Sequence, residues 1–295
     1  MAVAAAAAAA AVLLLLLPFS SSSLVSTPNP TLQYHHGHLL TGNLTLHLIW
    51  YGHFSPSQRS SITDFLLSLS PSSSLPPPSV SSWWATTRLY LSSPSTILHL
   101  SPQLLLSSYP LGRSLSSSAL PSLASLSRPS PSSISILLTS SDVFVDGFCS
   151  SRCGTHSRLP NAASFIWVGD SSTQCPGQCA WPFHQPPYGP QSPPLVSPSG
   201  DVGADGMVIN LATLLAGTVT NPDGKGFFQG PPEAPLEAVS ACTGIFGSGA
   251  YPGFPGKVLV DHTSGASYNA EGVNGRKYLL PAMWDPKTSQ CATLV

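Results

Sequence analysis

Charge is what this 295-residue chain has least of. Asp, Glu, Lys and Arg together make up 8% of it, against about 25% in an ordinary soluble protein. Before Ser141 there is no Lys and no Glu, and the charges are Arg59, Asp64, Arg88, Arg113 and Arg128. The formal net charge is −1. No basic stripe exists to neutralise a run of phosphates, so nucleic acid is excluded as a partner. Past Leu17 no apolar run is long enough to span a bilayer. Ser, Pro and Gly fill the polar quota instead.

Several catalytic signatures are missing too. "FGSGAYPG" sets Ser248 between glycines, but Phe246 and Ala250 occupy the outer positions where a nucleophile elbow needs glycine. It reads as a turn. "DVGADG" offers Asp201 and Asp205, but Gly203 and Ala212 stand where a calcium loop needs ligands. It reads as a turn and a helix start. Glycoside hydrolysis needs two flanking carboxylates. The glutamates are only Glu233, Glu237 and Glu271, and none sits in a telling motif. No catalytic residue, metal ligand or cofactor-binding residue is assigned.

What is present begins at the N-terminus. Ala2 to Leu17 is continuously apolar, then come Pro18 and small residues. Residues 1–26 read as a secretory signal peptide, with cleavage between Ser20 and Thr27, although Lys and Arg are absent ahead of the apolar run. The expected product is a soluble extracellular chain, residues 27–295, forming a single domain. Asn43-Leu44-Thr45 is a glycosylation acceptor, and Asn221 fails the rule because Pro222 follows.

The six cysteines are Cys149, Cys153, Cys175, Cys179, Cys242 and Cys291. "CSSRCGTH" and "CPGQCAWPFH" each hold a C-x3-C pair and a nearby histidine, His156 or His184. That spacing suits an all-thiolate zinc site. Zinc needs thiolates, however, and the secretory pathway oxidises them. Disulfides are therefore expected, the two pairs linked to each other and Cys242 to Cys291. The stapled loop also carries Trp181, Phe183, His184 and Tyr188, a possible binding surface. Trp83 and Trp84 are candidates for sugar stacking, though large rings are more often core.

Period-two alternation of Leu44, Leu46, Leu48 and Trp50 predicts a strand. Ser55-Pro56 then opens a helix over 56–69, with Ile62, Phe65, Leu66 and Leu69 on one side. Buried strands are expected at 134–139 and 165–169, a helix at 204–217, and later strands at 257–261 and 277–281. Interleaved helices and strands suggest an α+β or mixed α/β single domain with long disulfide-stapled loops.

The strings "YHHGHLLTGNLTLHLIWYG", "SVSSWW", "DGFCSSRCGTH", "DVGADGMVINLATLLAGTVTNP", "APLEAVSACTGIFGSGAYPGFPGKVLVD" and "GASYNAEGVNGRKYLLPAMWDPKTSQCATLV" resemble the EXORDIUM and EXORDIUM-like proteins of plants, also called the phosphate-induced protein 1 family. The resemblance spans Tyr34 to Val295. It implies an extracellular protein of the apoplast or cell wall, tied to cell expansion, brassinosteroid response and carbon status. It implies no established activity, so binding to a wall component or surface receptor is expected ahead of catalysis. An enzyme acting on wall polysaccharide or peptide is the alternative. "LLAGTVTNPDGKG" further resembles a stretch of secreted metallopeptidase-like proteins, in which a His-Glu helix runs into a "VTDP" loop. In that likeness Thr213 and Leu214 stand in place of His and Glu. It implies a zincin-like fold without the metal-binding helix residues.

N-terminal sequencing of the exported protein is expected to begin between Ser20 and Thr27. A mature chain that still begins at Met1 contradicts the signal-peptide reading.

Overall fold

The alternating leucines form β1 (Asn43–Tyr51), the second-from-edge strand of a mixed sheet. The computed structural model describes residues 31–70, 75–91, 96–150, 152–189, 191–232 and 234–295. The signal-peptide assignment lies outside these residues.

Parallel to β1 on one side run β2 (Ile97–Leu100) and then β3 (Leu104–Leu106); Asn43 faces Ile97 and Ile49 faces Leu104. On the other side lies β4 (Ser133–Thr139), with Leu46 opposite Ile134. The far edge is made by β5 (Gly154–Arg158) and β6 (Ser164–Gly169). β6 is parallel to β4, whereas β5 is antiparallel to β6. The spatial order is β2/β3–β1–β4–β6–β5. The predicted strands at 134–139 and 165–169 are thus the sheet's centre. Their near-continuous apolar runs follow from burial on both faces.

One face of the sheet presents Leu46, Leu48, Trp50, Ile134, Ile136, Leu138, Ile166 and Val168. Against it pack α1 (Pro56–Ser68), α2 (Val80–Ala85) and α5 (Val202–Thr220). The opposite face presents Ile49, Tyr51, Leu137, Phe165 and Trp167, covered by α3 (Leu120–Ala124) and by the segment carrying Val143, Val145 and Phe148. Ile62, Phe65, Leu66 and Leu69 are all buried, as the helical spacing predicts. Trp83 and Trp84 are core residues, and Trp83 Nε1 donates to the Pro281 carbonyl at 2.7 Å. They offer no ring to a sugar.

The cysteines pair as Cys149–Cys175, Cys153–Cys179 and Cys242–Cys291. The first two tie the segment ahead of β5 to the short helix α4 (Pro176–Cys179). The third anchors the C-terminal hairpin of Met283–Asp285 and Gln290–Ala292. Each such crosslink typically contributes about 2–4 kcal/mol.

The later strands are shorter than the sequence predicts. Only Leu259–Val260 and Lys277–Tyr278 are laddered. Asn269 is the reason in the second case. Its side chain accepts from the Leu280 amide and donates to the Leu280 carbonyl, each at 2.7 Å, replacing the ladder there.

α5 is longer than the predicted 204–217. Asp201 caps it, accepting from the Ala204 amide at 2.9 Å. It is apolar and long enough to cross a membrane by length and composition, but it is the buried central helix. Asp205 lies buried in its first turn, accepting from Ser197 Oγ at 2.6 Å and the Ser199 amide at 2.8 Å. Burial pushes its carboxyl up to about 6 from an ordinary 3.8, against the pull of those hydrogen bonds. The folded state therefore holds this proton more tightly than the unfolded state. Its contribution is complete below about pH 4 and is lost as the pH rises through about 6. The gap corresponds to about 3 kcal/mol. Denaturation at pH 4.5 and pH 7 is expected to show this group's loss of stability with rising pH, and Asp205→Asn to flatten it. An unchanged slope in Asp205→Asn contradicts the assignment.

Candidate functional site

Two glycines let the edge strand and the central helix meet. A Cβ on Gly154 of β5 would lie 2.7 Å from Leu214 Cδ1 of α5 and 2.4 Å from the Trp167 carbonyl oxygen. A Cβ on Gly217 of α5 would lie 2.4 Å from Glu237 Oε2 and 3.2 Å from His156 Nε2. Any larger residue would push β5, or the carboxylate behind it, off the helix.

The space beside this contact is a cleft of about 780 Å³. β5 forms one side. Thr213 and Leu214 of α5 form part of the floor. The far wall comes from Asn221–Gly224 and from Pro232, Ala234 and Pro235.

A hydrogen-bonded network closes its deep end. His156 Nε2 lies 2.9 Å from Glu237 Oε2 and 3.1 Å from Oε1. Both neighbours are acceptors, so Nε2 carries the proton. Asn221, the residue that ends α5, donates from Nδ2 to Glu237 Oε1 at 2.7 Å. Its Oδ1 accepts from the Gly226 amide at 2.7 Å, which sets its orientation. The Glu237 amide donates to Ser240 Oγ at 2.8 Å. The His156 and Glu237 side chains are 13% and 11% exposed, so the pair is largely shielded from water. Nearer the mouth, Arg158 Nε pairs with Asp223 Oδ1 at 3.0 Å. Among the described residues, His156 Nδ1 and Arg158 Nη1 are buried without a protein partner.

Chemically, this arrangement holds shape and polarity. The Thr213 hydroxyl is committed to the Ile209 carbonyl at 2.9 Å. Among the described residues, no group of three His, Cys, Asp or Glu is placed to hold a metal ion. The cleft offers a strand edge, a proline-lined wall and two side-chain arms, His156 hydrogen-bonded to Glu237 and Arg158 paired with Asp223.

The surface suggested by "CPGQCAWPFH" is divided. Phe183 is 5% exposed and packs with Ile209, Phe246 and Leu279, so it anchors the loop from inside. Trp181 is half-buried, 5.7 Å from Phe246 between ring centroids, with Nε1 donating to Gln191 Oε1 at 2.9 Å. His184 is exposed, its Nδ1 2.9 Å from the Gln185 carbonyl oxygen. Tyr188 is 86% exposed. Only the last two face solvent fully, because the first two fill the apolar space beside α5. Asn43 is exposed at the start of β1, and Ser248 lies on an exposed turn.

Sequence reasoning placed Thr213 and Leu214 on a significant stretch of helix, and both line the cleft. It missed β5, whose "GTHSR" has no apolar alternation. It treated His156 as an appendage of a cysteine motif and Glu237 as an isolated carboxylate. Residues 81 positions apart meet only through the fold.

The fold and cleft define a disulfide-stapled mixed α/β protein. The family described as "Phosphate-induced protein 1 conserved region" matches residues 32–294, and the chain belongs to that family. It is 58% identical to "Protein EXORDIUM-like 2" of Arabidopsis thaliana over 287 residues, covering 94% of each chain. It is 56% identical to "Protein PHOSPHATE-INDUCED 1" of Nicotiana tabacum, covering 93% of this chain and 92% of that one. It is 55% identical to "Protein EXORDIUM" of Arabidopsis thaliana, covering 90% and 89%. No solved structure matches.

Gly217→Ala is expected to drive Glu237 off His156 and destabilise the fold by about 1–3 kcal/mol, as overpacking does. Urea denaturation checks the energy, and the His156 ring resonances check the contact. Unchanged stability with unchanged resonances would contradict the close packing.

Proposed function

We propose that this chain is a secreted extracellular protein that regulates cell expansion by binding, with the cleft between β5 and α5 as its binding site. The observation that carries the reading is the cleft itself. It is large, and its deep end is built from buried side chains whose hydrogen bonds are directed at one another. Such a network fixes the shape of a pocket. In the likeness to metallopeptidase-like proteins, Thr213 and Leu214 would stand in place of the metal ligand and general base, which favours binding over peptide hydrolysis.

Three further features support an extracellular setting: the N-terminal apolar run, the three disulfides and the exposed Asn43 acceptor. The low charge suits a neutral, carbohydrate-rich surrounding. The partner is a wall component or a cell-surface receptor, and the family resemblance ties its outcome to growth, brassinosteroid response and carbon status. Glycosylation at Asn43 belongs to the same reading.

The test is binding and turnover run side by side. The purified secreted protein is applied to arrays of wall oligosaccharides and peptides, and the same compounds are incubated with it and analysed for products. Binding without turnover is expected. Ala234 is exposed on the cleft wall, so Ala234→Trp is expected to abolish binding while leaving stability within about 0.5 kcal/mol. Tyr188→Ala is expected to leave binding intact. Turnover abolished by Glu237→Gln would replace the binding reading with an enzymatic one.

A further inference from the structure

β5 is an edge strand with its outer side open to the cleft. Its pairing with β6 fixes which main-chain groups face outward. The Gly169 amide donates to the Cys153 carbonyl at 3.3 Å, and the Leu159 amide donates to the Ala163 carbonyl at 2.8 Å. Antiparallel hydrogen-bonded pairs recur every second residue. The inward set is therefore Cys153, Thr155, Ser157 and Leu159. The outward set is Gly154, His156 and Arg158. The side chains of His156 and Arg158 are engaged with Glu237 and Asp223. Among the described residues, the outward main-chain groups have no partner beyond a 3.5 Å approach of Thr155 Oγ1 to the His156 carbonyl.

The facing wall leaves this edge unpaired. Pro222, Pro232 and Pro235 line it, and proline has no amide to offer a strand. The wall supplies apolar surface, and among the described residues no main-chain hydrogen bond joins it to β5. The cleft lies between a row of free donors and acceptors and a wall that does not compete for them.

We propose that the cleft takes an extended polypeptide segment, which adds to the sheet as a strand alongside β5. This rests on the cleft being the binding site, as argued above. The outward residues repeat about every 6.8 Å, twice the rise of a strand. An extended peptide presents its own outward amides and carbonyls at that repeat, so main-chain bonds give affinity and alternate side chains give selectivity. A sugar chain carries no matching series of amides. Alternate peptide side chains point down to Leu214 and Thr213, which favours a small or apolar residue there. The next position faces out of the floor and is less restricted.

The test uses the full secreted chain and a positional-scanning library of hexapeptides, with wall oligosaccharides as the second arm. Peptides that bind are expected to slow hydrogen exchange at the Gly154, His156 and Arg158 amides. Arg158→Pro removes one outward amide and leaves the β6 ladder intact, a substitution edge strands tolerate. Binding is expected to weaken roughly tenfold or more, the effect of a peptide carbonyl left unpaired. Arg158→Ala loses the same side chain but keeps the amide, so the ratio of the two affinities isolates the main-chain bond, and Arg158→Pro is expected to bind at least about tenfold more weakly than Arg158→Ala. If Arg158→Pro does not fold, the exchange pattern of the wild type decides alone. Oligosaccharides binding in the cleft with no peptide binding would overturn the peptide inference and leave the cleft as the site. Peptide binding that leaves the three amides unslowed would also overturn it. If neither class binds in a manner sensitive to Ala234→Trp, the cleft reading itself fails.

Discussion

The close contact of α5 with β5 is the constraint on which the rest depends. A helix of this apolarity must be buried nearly all round, and each fully buried Leu contributes about 1.5–3 kcal/mol. On the sheet side β5 and β6 lie against it, and α1 and α4 cover further sides. At the sheet edge, glycine at 154 and 217 lets backbone and carboxylate come in where a side chain would otherwise stand. The strand edge, the helix and the Glu237 network are consequently fixed relative to one another. The cleft lies where β5 sits close to α5 and the proline-bearing wall makes no main-chain bond to the strand edge among the described residues.

A chain so poor in charge orders its loops by other means. Two disulfides join the segment ahead of β5 to α4, and a third holds the C-terminal hairpin. Buried side-chain amides do what ladders or salt bridges do elsewhere: Asn269 grips Leu280, and Asn221 grips Glu237 and Gly226. Among the described residues, two ion pairs fasten loops to the core, Arg276 with Asp64 and Arg158 with Asp223. Charge therefore serves as a local fastening, and much of the surface is left to hydroxyls, backbone and proline.

The core was legible because its signal is periodic. The leucine alternation of β1, the apolar runs of β4 and β6, and the spacing of α1 and α5 each follow from which face is buried. That the cysteines are oxidised followed from compartment and count; which of Cys149 and Cys153 meets Cys175 and which meets Cys179 came only from the fold. The cleft was hardly legible. β5 is a polar strand recognisable only by its neighbour, and the Pro-rich wall reads as loop. His156 and Glu237 are ordinary residues until the fold brings them within 2.9 Å. Phe183 shows the reverse failure: a ring in a stapled loop looks available, yet the loop is ordered by burying it. Short ladders such as Lys277–Tyr278 were overcalled because a side chain can replace a strand partner without leaving a sequence trace.

The most direct measurement is a crystal structure of the secreted protein with its tightest array ligand. The expected result is ligand density alongside Gly154–Arg158, over Thr213 and Leu214, with the His156–Glu237–Asn221 network unmoved. Density confined to the Trp181–Tyr188 loop, with the cleft unaltered, would contradict the account.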